Sequence, residues 1–254
     1  MTPDSSPTPV GDLFKGVGFV PRALGMTFGR PKVFMLSLLC GAVTALCLAV
    51  SAYFLWSPAR ALAERIVGTG GGWRDWLGIG LSVLLYLAML AATWLTVPAA
   101  VLAPLQDPLS EAVEEALGDF TAPPFSAARA ARGVGLSLSH TALRLTLQLL
   151  GYAVLFPLNF IPVAGSVIWA VVSAVWTMWW LATEYLSGPM ARHLYPFGQV
   201  LRTMRKRPAL SFGFGAALHL LLFIPVVNFF LVPLAVVGAT LFFRHLAAQG
   251  NIER

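Results

Sequence analysis

Charge is what this sequence has least of. Of its 254 residues, 11% carry a charged side chain and 57% are hydrophobic. A soluble domain is about 25% charged, so a surface this poor in charge cannot be coated for water, and lipid must solvate much of the chain. Cysteine is nearly absent too. Cys40 and Cys47 lie in one apolar run, and the rise between them on a helix, about 10 Å, exceeds the ~4.4–6.8 Å reach of a disulfide. They read as small apolar packing residues. There is no HExxH or GxSxG pattern, and the four histidines are scattered, which argues against a metal site and an intramembrane hydrolase. The glycine run Gly68-Thr-Gly-Gly-Gly72 lacks the Lys-Ser/Thr of a phosphate-cradling loop. We therefore expect no enzyme, no catalytic residue, no cofactor and no metal. The net charge of +6 is spread between apolar runs with no basic stripe, so no nucleic-acid partner is expected. The basic residues read instead as a bias toward the cytoplasmic face.

What is present is a series of long apolar runs. Residues 1–11, rich in Pro, Ser and Thr, read as a disordered tail. No basic segment with a short apolar core stands near residue 10, so no cleaved leader is expected. Asp12 to Arg30 mixes Phe14, Val17, Phe19 and Leu24 with Lys15 and Arg22, and reads as an amphipathic segment in the lipid interface. Val33 to Trp56 is an uncharged span with Tyr53 and Trp56 as anchors, stopped by Ser57-Pro58. Residues 57–76 read as a loop. A second uncharged span, Leu77 to Leu105, is expected to kink or end at Pro98 and Pro104. Asp107-Pro108 then reads as a new helix start, and Glu111, Glu114, Glu115 and Asp119 recur at helical spacing. That acidic face is either solvated or paired with the basic segment further on.

From Gly133 to Pro157, Ser137, His140, Thr141, Arg144 and Gln148 form one stripe on an otherwise apolar helix. An arginine near a bilayer centre costs at least ~2.5 kcal/mol on insertion scales, so Arg144 must face protein, water or the interface. Phe160-Ile-Pro-Val163 is then repeated as Phe223-Ile-Pro-Val226, each between two apolar runs and each beside an asparagine, Asn159 or Asn228. Proline breaks a helix, and irregular backbone at membrane depth must be satisfied by protein or water. The repeat predicts two helical hairpins with Phe-Ile-Pro-Val tips. The arm before the second tip, Ala209 to Ile224, reaches only about 24 Å, short of a ~30 Å core. The basic segment Arg192, Arg202, Arg205, Lys206 and Arg207 between the hairpins, together with Lys15, Arg22, Arg30 and Lys32, places both termini in the cytoplasm.

Three stretches resemble the CysZ family of sulfate permeases, whose domain is shared with eukaryotic etoposide-induced proteins. They are Leu102-Ala-Pro-Leu-Gln-Asp-Pro-Leu-Ser-Glu-Ala-Val-Glu114, Glu184-Tyr-Leu-Ser-Gly-Pro-Met-Ala-Arg-His193, and Leu210-Ser-Phe-Gly-Phe-Gly-Ala217 with Phe223-Ile-Pro-Val-Val-Asn228 and Pro233 to Thr240. The resemblance covers residues 12–245, leaving 246–254 as a C-terminal tail. It implies an all-α integral membrane fold with two long transmembrane helices and two hemi-penetrating helical hairpins. It also implies sulfate uptake for sulfur assimilation across the inner membrane, contact with membrane lipids, and a homo-oligomer. A non-transporting scaffold or regulator of the same family is the competing expectation.

The family's sulfate motif, Gly-Leu-Arg-Arg, aligns with Gly29-Arg30-Pro31-Lys32. Lys32 keeps the charge of the second arginine, and Arg30 stands beside the proline that replaces the first. Gly29, Arg30 and Lys32 are thus the candidate anion site, with positive-inside anchoring as the other reading of the two cations. His140 with Arg144 is a candidate pathway lining or a structural hydrogen bond. Glu184 with Arg192 or His193 is a candidate structural ion pair or a gate. His219 is expected to be packed.

Overall fold

The computed structural model describes residues 8–68, 71–118, 127–162 and 164–252. Thr8 caps the first helix by accepting the Gly11 N–H at 3.2 Å, and Pro9 follows at the first helical position, where its missing N–H costs nothing. The helices are α1 (Pro9–Val17), α2 (Phe19–Gly29), α3 (Pro31–Val67), α4 (Trp73–Ala116), α5 (Ala127–Leu155), α6 (Gly165–Arg192), α7 (Phe197–Lys206), α8 (Pro208–Leu221) and α9 (Pro225–Ala248). Among the described residues there is no strand. Five helical segments among the described residues are long and apolar enough to cross a membrane, and the chain is an all-α, multi-pass integral membrane protein.

Proline punctuates this chain less than the sequence predicts. Helix α3 runs through Pro58 for 37 residues. Helix α4 runs through positions 98, 104 and 108 for 44 residues, so Asp107-Pro108 does not start a helix. An interior proline removes one backbone bond and crowds one carbonyl, at about 3 kcal/mol. Ending the helix would instead leave four carbonyls without an intrahelical partner. Continuing is the smaller cost. The expected loop over 57–76 shrinks to the glycines around Gly68, Gly71 and Gly72, all with φ between +66° and +77°, a region open to glycine at no steric cost.

The chain divides into two units, residues 38–105 and residues 1–37 with 106–254. In the first, the Tyr86 hydroxyl donates to the Ala52 carbonyl at 3.2 Å, and Trp56 meets Tyr86 edge-on at 5.6 Å. Cys40 and Cys47 are both free thiols.

The second unit holds the main core. Phe19, Phe214 and Phe242 form a ring cluster with centroids 5.2–6.3 Å apart, surrounded by Leu186, Met190, Met204 and Leu246. Helix α8 is gripped on two sides through its glycines. A Cβ on Gly213 would run into the Leu13 carbonyl of α1, and one on Gly215 into the Met178 carbonyl of α6. This is the small-residue packing that lets helix backbones approach where lipid supplies no hydrophobic drive. The segment 12–30 accordingly does not behave as one interfacial helix. It splits at Gly18, and Phe19, Val20 and Ala23 are buried against α9. Asp12, 5% exposed, accepts two hydrogen bonds from Arg207, at 2.6 Å from Nε and 2.5 Å from Nη2.

Both repeats form hairpins. In α5–α6 the chain winds into a 3₁₀ turn, Phe156–Phe160, before reversing. The Ile161 N–H donates to Leu158 O, and Gly165 N–H to Ile161 O. In α8–α9 three successive N–H groups, of Leu222, Phe223 and Ile224, donate three residues back. Among the described residues, these tip bonds are made by the main chain itself. Val163 and the Asn228 side chain lie outside the described residues. Helices α5 and α6, at 29 and 28 residues, reach over 40 Å each, whereas α8, at 14 residues, reaches about 21 Å.

Candidate functional site

Three polar groups stand out in the unit formed by residues 1–37 and 106–254. The first is at the start of α3. Arg30 has extended backbone, φ −131° and ψ 111°, as the residue before a proline must. Pro31 opens α3, so the N–H groups of Lys32 and Val33 have no partner within the helix. Val33 is fully buried and fixes this turn, while Arg30 and Lys32 are exposed. They line a cleft of about 240 Å³ with Val33, Ala112, Glu115 and Ala116. Lys32 Nζ lies 2.5 Å from Glu115 Oε2. A Cβ on Gly29 would meet nothing within 4 Å, so no packing constraint explains glycine there.

The second group is buried. Glu114 is fully enclosed at the last turns of α4, with Arg192 Nη2 at 2.7 Å and His193 Nε2 at 3.2 Å. Arg192 Nη1 also approaches Glu111 at 3.8 Å. The His193 ring stacks on Phe243 at 5.0 Å. Burial pushes the Glu114 carboxyl up, but the His193 hydrogen bond and the charges of Arg192, His193 and Arg244 outweigh it, and the net shift is downward. Glu114 is held ionised between the Arg192 guanidinium and the His193 ring.

The third group lies between α5 and α6. Arg144 Nη1 donates to Glu184 Oε2 at 2.9 Å and to Gln148 Oε1 at 3.2 Å. One turn earlier His140 is buried, 5.5 Å from the Phe197 ring. The predicted stripe divides here. His140, Arg144 and Gln148, spaced four apart, turn inward, whereas Ser137 and Thr141 are exposed, with the Thr141 hydroxyl donating to the Ser137 carbonyl.

The Glu184 pair differs from the one expected from the sequence, while Glu114 follows the reading that pairs the acidic run with the basic segment. Glu184 meets neither Arg192 nor His193. Eight residues along one helix is a rise of about 12 Å, out of reach of a contact, and its partner comes from α5 instead. Arg192 and His193 meet Glu114, from the run that reads most simply as a solvated face. Within that run Glu114 is buried, Glu115 turns to the cleft, and Asp119 lies outside the described residues. One signal for this is Ser110, one turn before Glu114, which is buried and bonds Thr240 at 2.9 Å. Leu109, Ala112 and Val113 are buried in the core on the same turns. His219 meets Phe223 edge-on at 5.5 Å.

The family model described as sulfate transporter CysZ/etoposide-induced protein 2.4 matches residues 19–233. The sulfate transporter CysZ of Pseudomonas syringae pv. tomato is 32% identical over 209 residues, covering 81% of this chain and 79% of the relative. That of Pseudomonas paraeruginosa is 32% identical over 178 residues, covering 66% and 71%. That of Vibrio cholerae serotype O1 is 28% identical over 191 residues, covering 74% and 76%.

Proposed function

The chain belongs to the sulfate transporter CysZ/etoposide-induced protein 2.4 family, and from that membership we propose that it is a permease or channel for sulfate or a similar oxyanion. Its role is transport rather than catalysis. The setting is an inner membrane with both termini cytoplasmic, in a homo-oligomer. The observation that carries this reading is the cleft at the start of α3. Arg30 and Lys32 meet there beside a helix N-terminus whose N–H groups lack intrahelical partners. Two cations and a helix N-terminus are the chemistry that an oxyanion needs. Pro31 removes one backbone donor, and Lys32 offers a point charge rather than a planar fork. The site therefore holds an anion by charge more than by bidentate geometry.

The buried groups suit a path that carries charge without solvating it fully. Arg192 and Arg144 are each already paired with a carboxylate, so an anion passing them meets a near-neutral wall rather than a trap. The second hairpin, with its short arm, penetrates partway. Moving a dianion inward against 100 mV costs about 4.6 kcal/mol, at ~2.3 per charge. Passive flux must then be drawn by a reaction that consumes the ion inside.

The test is sulfate flux into liposomes holding the pure protein. We expect flux above protein-free vesicles, reduced at least fivefold by Arg30→Ala with Lys32→Ala. Vesicles that take up no sulfate would overturn transport in favour of a scaffold. Flux unchanged in the double variant would remove the cleft from the pathway.

A further inference from the structure

The cleft that carries the functional reading contains a group of the wrong sign. Glu115 lines it together with Arg30 and Lys32, and its carboxylate sits 2.5 Å from the Lys32 ammonium. We infer that Glu115 is a tethered competitor: the protein's own carboxylate occupies Lys32 until an incoming oxyanion displaces it. The inference rests on the cleft being the anion site.

Three observations support it. The first is exposure. The side chains of Lys32 and Glu115 are 66% and 39% exposed, and an exposed pair holds weakly, so it exchanges readily. The neighbouring Glu114–Arg192 pair, 0% and 11% exposed, is the opposite case, because breaking it strands a buried charge. Consecutive glutamates on one helix thus make a fixed ion pair and a replaceable one.

The second is position. Glu115 stands in the last turn of α4, which ends at Ala116. An acidic residue at a helix C-terminus is disfavoured by the helix dipole. Glu115 gains nothing from the dipole of its own helix, and its partner there is Lys32 of the cleft.

The third is charge. An arriving sulfate carries two negative charges against one on the carboxylate, so Lys32 gains by the exchange, while the freed carboxylate can swing into water. The arrangement keeps Lys32 neutralised when no anion is bound. It sets the affinity below what the two cations alone would give, which suits a site that must release its ion to a pathway.

The experiment is sulfate binding to the purified full chain in detergent, measured by calorimetry for the parent, Glu115→Gln, Glu115→Ala, Arg30→Ala, Lys32→Ala and the Lys32→Ala/Glu115→Gln double variant. Removing the carboxylate should tighten sulfate binding about three- to tenfold in both single Glu115 variants, in line with losing one exposed competing pair and its repulsion. Lys32→Ala should weaken binding. In that background Glu115→Gln should have much less effect, since the competition acts through Lys32. Unchanged or weaker binding in Glu115→Gln overturns the inference, because a carboxylate that only positions Lys32 would weaken binding when lost. Equal tightening with and without Lys32 also overturns it, leaving general repulsion as the cause. If neither Arg30→Ala nor Lys32→Ala changes affinity, the cleft itself fails as the anion site. If Lys32→Ala weakens binding and Glu115→Gln does not tighten it, only the competitor fails.

Discussion

None of the most apolar stretch of Gly135–Phe160, in the first hairpin, is buried within the protein, whereas 67% of the corresponding stretch of Phe230–Ala248, in the second, is buried. The same four-residue tip therefore joins two kinds of hairpin. The arms α5 and α6 are tied by polar rungs. Arg144 bonds Glu184, the Trp176 indole N–H donates to the Gln148 carbonyl at 3.1 Å, and the Tyr152 and Thr177 hydroxyls meet at 2.7 Å. Helix α8 is held by backbone contact through glycines and α9 by a dense apolar core. Lipid is as apolar as leucine and does not drive helices together. A hairpin left facing lipid relies on hydrogen bonds beside the close fit of Trp176 on Gly151, and one wrapped by its own chain can be held by fit alone.

The largest effect should come from breaking the fit. Gly215→Leu places a side chain against the Met178 backbone, which cannot withdraw without moving α6. Overpacking costs about 1–3 kcal/mol when side chains can yield, and here the obstacle is main chain, so we expect loss of the folded, monodisperse protein in detergent. Gly135→Ala in the first hairpin is the matched control. Nothing lies within 4 Å of its Cβ, so the thermal midpoint should hold or rise, by up to about 1 kcal/mol of helix propensity. Equal damage at both positions would erase the distinction between the hairpins.

Next in size is the clamp at the base of the second hairpin. Arg207→Ala leaves Asp12 buried without its two hydrogen bonds, at about 3–5 kcal/mol. The same pair has a pH signature. The hydrogen bonds from Arg207 outweigh burial and hold the Asp12 carboxyl below its ordinary range. Its contribution is complete above the unfolded aspartate value of about 3.9 and is lost as pH falls through the lowered folded value. Thermal midpoints of the parent should drop more steeply below pH 4 than those of an Asp12→Asn variant.

In the first hairpin the equivalent experiment is a cycle. Arg144→Leu alone strands Glu184 and should destabilise by about 2–4 kcal/mol, while Arg144→Leu with Glu184→Leu should recover most of that, since apolar replacement of a whole pair is often neutral. If the double variant folds but no longer transports sulfate, the rung serves the pathway and not the hairpin.

How much of this was legible follows from how local each signal is. The Phe-Ile-Pro-Val hairpins could be read because the repeat and its flanking apolar runs lie within short windows. Spacing put His140, Arg144 and Gln148 on one stripe, but the same stripe took in Ser137 and Thr141, which are exposed. The fate of Pro58 and Pro108 could not. A proline states what a helix loses, and whether the helix ends depends on whether the surroundings offer the freed carbonyls anything better. The partner of Glu184, and which glutamate of the acidic run Arg192 takes, were hidden for another reason. Glu184 and Arg192 are near in sequence and on one helix, and the pairing is settled instead by which helices pack together, placing Glu114 beside Arg192 across 78 residues. Gly213 and Gly215 look like flexibility in a sequence and prove to be points of backbone contact.

The smallest effect separates rungs from ornament. Tyr152→Phe removes one hydroxyl and leaves the ring, so only the bond to Thr177 is lost. Side-chain hydrogen bonds between membrane helices average about 0.6 kcal/mol and reach about 1.7 at most. The Thr177 hydroxyl keeps a second partner, the Ser173 carbonyl at 2.7 Å, so it is not left unsatisfied. A loss near 0.6 kcal/mol, read as a small fall in thermal midpoint, is expected. A loss above about 1.7 kcal/mol would mean the rungs act as one cooperative unit, with the outer bond holding Arg144 and Glu184 in register. A null result would leave that ion pair and the Trp176 bond to hold the lipid-facing hairpin closed.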